Sequence, residues 1–168
     1  MDKYVIDAGP LIHMDQIGHL KILKKLPSLI LPPSIIQEIK HDTISTELKS
    51  LETWPNIKIV SSSPHMHNQL NTIMKKFPLH RGEIDCLHLA IQLESAIFLT
   101  DDLAARNAAE KLRIEVHGTI GLITYAVRKK WLPLDKAEEA LNLLYNQSSL
   151  FVTYAIVEQA ISSLKKTL

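Results

Sequence analysis

The chain has 168 residues, 19 Lys and Arg against 18 Asp and Glu, one Cys and 46% apolar residues. That length suits a single domain burying about two-thirds of its unfolded surface, the apolar content argues against disorder, and the lone Cys86 excludes an intramolecular disulfide framework or a Cys-rich zinc site. A net charge of +1 excludes a strongly basic nucleic-acid-coating protein but leaves nucleic acid open, because a sum near zero can hide a local cluster of one sign.

Four short runs read as strands: Tyr4-Val5-Ile6, Leu29-Ile30-Leu31, Ile57-Lys58-Ile59-Val60 and Ile97-Phe98-Leu99-Thr100. A weaker fifth is Ile114-Glu115-Val116. Most are apolar without alternation, the pattern of strands covered on both faces of a parallel sheet. Helical patterns lie between them. Pro33-Ser34 precedes Ile35, Ile36 and Ile39, with Ser34 as the expected N-cap. Residues 65–76 are helix-compatible and closed by Pro78, while 83–95 and 102–112 contain no Gly or Pro. Gly118-Thr119-Ile120-Gly121 then leads into a helix to about Lys130, which Pro133 breaks. The next helix has Asp135 in its first turn and Ala137, Leu141 and Leu144 at helical spacing; a last one covers about 150–166. No repeat or low-complexity linker divides the chain. Strand then helix, repeated, predicts one α/β domain over residues 1–168: a three-layer α/β/α sandwich on a parallel four- or five-stranded sheet over about 1–122, and a helical C-terminal extension over about 123–168. Apolar runs fall short of the roughly 18–20 residues of a membrane span. The opening MDKYVIDAG lacks the long apolar stretch of a signal peptide, so a cytoplasmic protein with no membrane partner is expected.

The placement of carboxylates is the informative feature. Asp7 follows the first strand, and Gly9-Pro10 are expected to turn the chain after it. Asp101 and Asp102 follow the fourth strand. In an open parallel sheet, ligands bind beyond the carboxyl ends of the strands, so both points belong on the functional edge and are neighbours if their strands are close. Ser34, Glu38 and Asp42 share one helix face, opposite Ile35, Ile36 and Ile39. In Arg81-Gly82-Glu83-Ile84-Asp85-Cys86-Leu87-His88-Leu89-Ala90-Ile91-Gln92, an otherwise apolar helix carries Asp85, His88 and Gln92 on one stripe. A buried carboxylate needs a cation, a donor or a cleft, and Glu83 and Asp85 also sit near a positive helix N-terminus.

Each residue also has a plainer reading. Asp7, and one of Asp101 and Asp102, could be cap residues; Glu38 could be a solvated helix carboxylate; Glu83 could only stabilise a helix start. His88 reads as a core histidine, His65 and His67 as surface, and Cys86 as a small buried hydrophobe.

Taken together, these residues resemble the PIN-domain ribonuclease superfamily, in its prokaryotic branch related to the toxins of type II toxin–antitoxin pairs. The matching stretches are Val5-Ile6-Asp7-Ala8-Gly9-Pro10-Leu11-Ile12, Pro33-Ser34-Ile35-Ile36-Gln37-Glu38-Ile39, Arg81-Gly82-Glu83-Ile84-Asp85 with Leu89-Ala90, Leu99-Thr100-Asp101-Asp102-Leu103-Ala104-Ala105-Arg106 with Ala109, and Val116-His117-Gly118-Thr119-Ile120-Gly121-Leu122. The resemblance implies an acidic pocket that binds one or two Mg²⁺ or Mn²⁺ ions and hydrolyses single-stranded RNA. Carried over, Asp7, Glu38 and Asp85 match the family's first three acidic positions, and the fourth falls on Asp101 or Asp102. Glu83 is the acidic residue of the Gly-Glu pair typical of the branch. Thr100 matches a hydroxyl residue often found before the fourth acid. Position 8 is Ala where many relatives carry a small hydroxyl residue. A small antitoxin protein and a homodimer are implied partners.

Hard divalent cations prefer oxygen ligands, and a cation relieves the repulsion within an acidic cluster. Arg81 and Arg106 flank acidic motifs and are the candidates for substrate phosphates. A non-catalytic PIN-like module that binds RNA or protein is the alternative. A dehalogenase-type phosphatase fails because Ala8-Gly9 follow Asp7, and no Gly-rich phosphate loop is present.

Overall fold

Five short apolar segments hydrogen-bond side by side in the computed structural model, which describes residues 2–63, 65, 70–72 and 74–167. They are β1 (Tyr4–Ile6), β2 (Leu29–Leu31), β3 (Ile57–Ile59), β4 (Ile97–Leu99) and β5 (Val116–His117). All pairings are parallel, in the order β3-β2-β1-β4-β5. The central strands are covered on both faces, which is why β1 and β2 are buried at every residue. Val60 and Thr100, expected within strands, lie just past β3 and β4 but still donate ladder hydrogen bonds to Leu31 O (3.1 Å) and His117 O (2.9 Å). The fifth strand lies later than its expected position. Arg113 takes a left-handed turn (φ 58°) and Ile114 N closes back on Ala109 O (2.9 Å), so the helix C-terminus consumes those residues first.

The helices are α1 (Ala8–Gln16), α2 (Leu20–Lys24), α3 (Pro33–Ile39), α4 (Thr46–Lys49), α5 (Arg81–Gln92), α6 (Leu103–Lys111), α7 (Thr119–Arg128), α8 (Leu134–Gln147) and α9 (Tyr154–Thr167). Gly9-Pro10 do not turn the chain. They lie in the first turn of α1, where a proline removes an N–H that has no intrahelical acceptor anyway. Ser34 is not a cap: Pro32 holds that place with Pro33 as the first helical residue, and the Ser34 hydroxyl donates to Asp85 Oδ2 at 2.7 Å. Of the helix expected at 65–76, residues 66–69, with His67, and residue 73 lie outside the described residues; residues 65, 70–72 and 74 are helical, and His65 is exposed.

Helices α1, α2 and α7 pack together, α5 packs on β1, β4 and α6, and α3 touches both α1 and α5. The C-terminal pair α8 and α9 continues from α7, with Ala137, Leu141 and Leu144 fully buried as their spacing predicts. Among the described residues, no helix is long and apolar enough to cross a membrane.

Strand order is what positions the site. From β1 the chain moves outward through β2 to β3, then returns to β4 on the other side of β1 and continues to β5. The direction reverses between β1 and β4, the kind of switch point at which open parallel sheets bind ligands beyond the carboxyl ends of their strands. Ile6 pairs with Leu99, and Asp7 N donates to Leu99 O at 2.9 Å, so the residues after both strands face one another.

Phe98 is fully buried in β4, whereas Phe151, between α8 and α9, is 99% exposed. Phe98→Ala is expected to cost about 3–5 kcal/mol in urea unfolding, and Phe151→Ala to stay within about 0.5 kcal/mol of the parent.

Candidate active site

Asp7 is the N-cap of α1 and is almost completely buried. Its Oδ1 accepts from Ala8 N (2.9 Å) and its Oδ2 from the buried Thr100 Oγ1 (2.9 Å). The same hydroxyl oxygen accepts from Asp102 N at 3.2 Å. Thr100 therefore ties the carboxylate at the end of β1 to the backbone that follows β4. Asp102 caps α6 through Ala105 N (2.8 Å to Oδ1) and is otherwise exposed.

Glu83 and Glu38 complete the cluster. Glu83 is buried in the first turn of α5, where its Oε2 accepts from His80 N at 2.7 Å. This is the glutamate half of a capping box, with His80 in the place that Ser or Thr usually takes. Glu38, near the end of α3, reaches over Gly82: a Cβ built there would lie 2.8 Å from Glu38 Oε2 and 2.8 Å from Ile35 Cδ1. The missing side chain at Gly82 is the space the Glu38 carboxylate uses.

The charges feel one another. Burial first, and then the fields of Glu83 and Glu38, push Asp7 from its ordinary 3.8 up to about 7, against the opposing hydrogen bonds from Thr100 and Ala8. Glu83 is raised by burial and by Asp102 and Glu38, with His80 opposing through its backbone donor and its charge. Glu38 is raised by burial and Asp42, while His80 lowers it.

Asp85 and Asp101 have other partners. Asp85 Oδ2 accepts from Ser34, a bond that joins α5 to α3, and lies 3.8 Å from the exposed Arg81 on its own helix. Asp101 Oδ2 meets His13 Nδ1 at 2.7 Å, its Oδ1 accepts from Thr119 N at 2.7 Å, and Thr119 Oγ1 also donates to Oδ2. Asp101 thus joins α1, the end of β4 and the start of α7. Arg106 donates to Thr100 O at 3.5 Å. His88 and Cys86 are fully buried, and Gln92 accepts from Ser63 N at 2.8 Å. His13, His80 and Thr119 were not singled out by sequence. Only His80 carries a local signal, the cap-x-x-Glu spacing to Glu83.

The family model DUF3368, a PIN domain, matches residues 3–166. The chain belongs to the PIN-domain family. It is also 32% identical over 120 residues to Endoribonuclease Nob1 of Methanocaldococcus jannaschii. That match covers 70% of this chain and 57% of the relative, so the chain spans less than two-thirds of that protein's length.

Asp7, Glu38, Glu83 and Asp102 are carboxylates that act on one another electrostatically at this sheet edge. Among the described residues, no group of three or more Asp, Glu, His or Cys side chains is placed to hold a metal ion. Carboxylate oxygens of this kind would suit a hard cation such as Mg²⁺, which keeps several waters and takes one or two carboxylates, rather than the closed cage of a structural Zn²⁺.

Between pH 3.8 and about 7 the folded PIN domain holds a proton on Asp7 that the unfolded chain has released. By linkage, this group's contribution to stability falls as pH rises through that window. In EDTA, urea unfolding should therefore shift in favour of Asp7→Asn relative to the parent from pH 4 to pH 8, by as much as about 4 kcal/mol.

Proposed function

We propose that this PIN domain is a divalent-metal-dependent endoribonuclease that hydrolyses phosphodiester bonds of single-stranded RNA. The observation that carries the reading is Asp7: a buried carboxylate held by Thr100, raised to about 7 and within the field of Glu83 and Glu38. A carboxylate cluster this unfavourable without a counter-charge gains from a cation. Family membership and the similarity to an endoribonuclease support the same chemistry.

Asp7, Glu83 and Asp102 would hold Mg²⁺ or Mn²⁺, with Glu38 completing the group or orienting water. Such a cation, when bound, supplies stabilisation of phosphate charge and a lowered pKa for water. In the hydrolysis, a water oxygen bonds to phosphorus and gives up one proton, one P–O ester bond breaks and the leaving oxygen takes up a proton, so that no net proton is consumed. The protein's own part is to hold the carboxylates in place. Thr100 fixes Asp7 by its hydroxyl, the His80 backbone fixes Glu83, and Gly82 leaves room for Glu38. On the family resemblance the proposal extends to a cytoplasmic toxin restrained by a small antitoxin protein, and to a homodimer.

Labelled single-stranded RNA should be cleaved with Mn²⁺ or Mg²⁺, and EDTA or Asp7→Asn should abolish the cleavage. Persistent cleavage by Asp7→Asn would remove the mechanism. Glu83→Gln should slow cleavage by on the order of 10²–10³, whereas Asp85→Asn, acting through Ser34, should stay within about tenfold. Gly82→Ala should shift the Glu38 carboxylate and lower activity about tenfold or more. Its unfolding midpoint should also fall modestly, because the Ile35 Cδ1 that its Cβ meets at 2.8 Å is fully buried in the core.

A further inference from the structure

Phe151 is 99% exposed, the extreme among the large apolar side chains of the described residues. It is not on a free terminus. Ser149 N and Oγ both donate to Gln16 Oε1 of α1, at 2.8 and 3.1 Å, and Thr153 Oγ1 accepts from Ile156 N at 3.4 Å where α9 begins. The ring is therefore held out in water by a segment anchored on both sides. Beside it lies a cavity of about 420 Å³, whose walls include Asp101, Arg106, His117, Gly118, Ile120 and Ile156.

Two features of this cavity select its occupant. Its apolar walls, Ile120 and Ile156, could hold a flat ring, and Phe151 at its rim supplies an aromatic face. Its polar wall carries Arg106 near the Asp101 carboxylate, which His13 and Thr119 engage: Arg106 has no acidic partner within ion-pair distance among the described residues, and its guanidinium touches Thr100 O at 3.5 Å. Asp101, in the same wall, lies between Thr100 and Asp102 in the chain. A ring in the cavity would thus be joined to a phosphate near Arg106, and that phosphate would stand beside the residues that hold Asp7 and Asp102.

We propose that this cavity is a base-binding slot for single-stranded RNA, in which Phe151 stacks on one nucleobase and Arg106 meets the adjoining phosphate. The identity of the ligand rests on the ribonuclease reading, but the slot's binding role does not depend on cleavage. Base–aromatic stacking tolerates any sequence, because every base has a π-face, so the slot would position a strand without selecting it strongly. A cation at Arg106 would make the binding salt-dependent.

The test is fluorescence anisotropy of a labelled single-stranded RNA with the full chain in EDTA, where no cleavage occurs. Phe151→Ala should weaken binding about tenfold or more with an unchanged thermal midpoint. Phe151→Trp should restore it and Phe151→Leu should not. Arg106→Gln should make the salt dependence shallower by about one phosphate contact. Equal binding by Phe151→Leu and the parent would overturn the proposal, as would absence of RNA binding by the parent. If Phe151→Ala instead changes the oligomeric state in light scattering and leaves RNA affinity alone, the face is a protein interface and the slot is refuted. Phe151-dependent binding without cleavage in Mn²⁺ would support the slot while overturning the ribonuclease reading. Cleavage with Phe151-independent binding would do the reverse.

Discussion

The hydroxyl of Thr100 is the contact on which the site depends. It donates to Asp7 Oδ2 and accepts from Asp102 N, so one side chain closes the gap between the two strand ends. It can do this only because β1 and β4 are paired in a register that sets Ile6 against Leu99. That register in turn rests on apolar strands buried on both faces, which leave no room for a slip that would turn side chains to the other side. The acidic cluster is thus an outcome of core packing as much as of its own residues.

Much of this was legible in the chain. The first four strands announce themselves as short apolar runs, and strand-end geometry singles out Asp7, Asp101 and Asp102 without any knowledge of the sheet. Their proximity was conditional on strand order, and order is not a local property. It follows from the return crossover that brings β4 beside β1. Which neighbours Glu83 and Asp85 would face was not legible for a related reason. Two residues apart on a helix are separated by about 200°, so only one can face a given neighbour. Which one does depends on how α5 sits against α3, and there the short contact from Ser34 takes Asp85 while Glu38 lies over Gly82.

Other features escaped because their signals were weak or misleading. Gly9-Pro10 looks like a turn, yet a capped first helical turn accommodates the same pair. The five-residue α2 and four-residue α4 are too short to show a helical period. The role of Asp101 depends on His13 and Thr119, which come from two other elements. A lone histidine on α1 says nothing by itself about a carboxylate 88 residues away.

Glu83 does two jobs with one side chain. One of its oxygens holds the backbone of His80 and so closes the first turn of α5, while its charge lies in the field of Asp102 and Glu38. The beginning of a helix and the arrangement of an acidic site are therefore mechanically joined. Strain put on either, by a ligand pulling on the carboxylate or by a substitution loosening the segment before Arg81, reaches the other through the hydrogen bond between Glu83 and His80 N. Tightening the site and ordering the start of this helix are therefore coupled through one side chain.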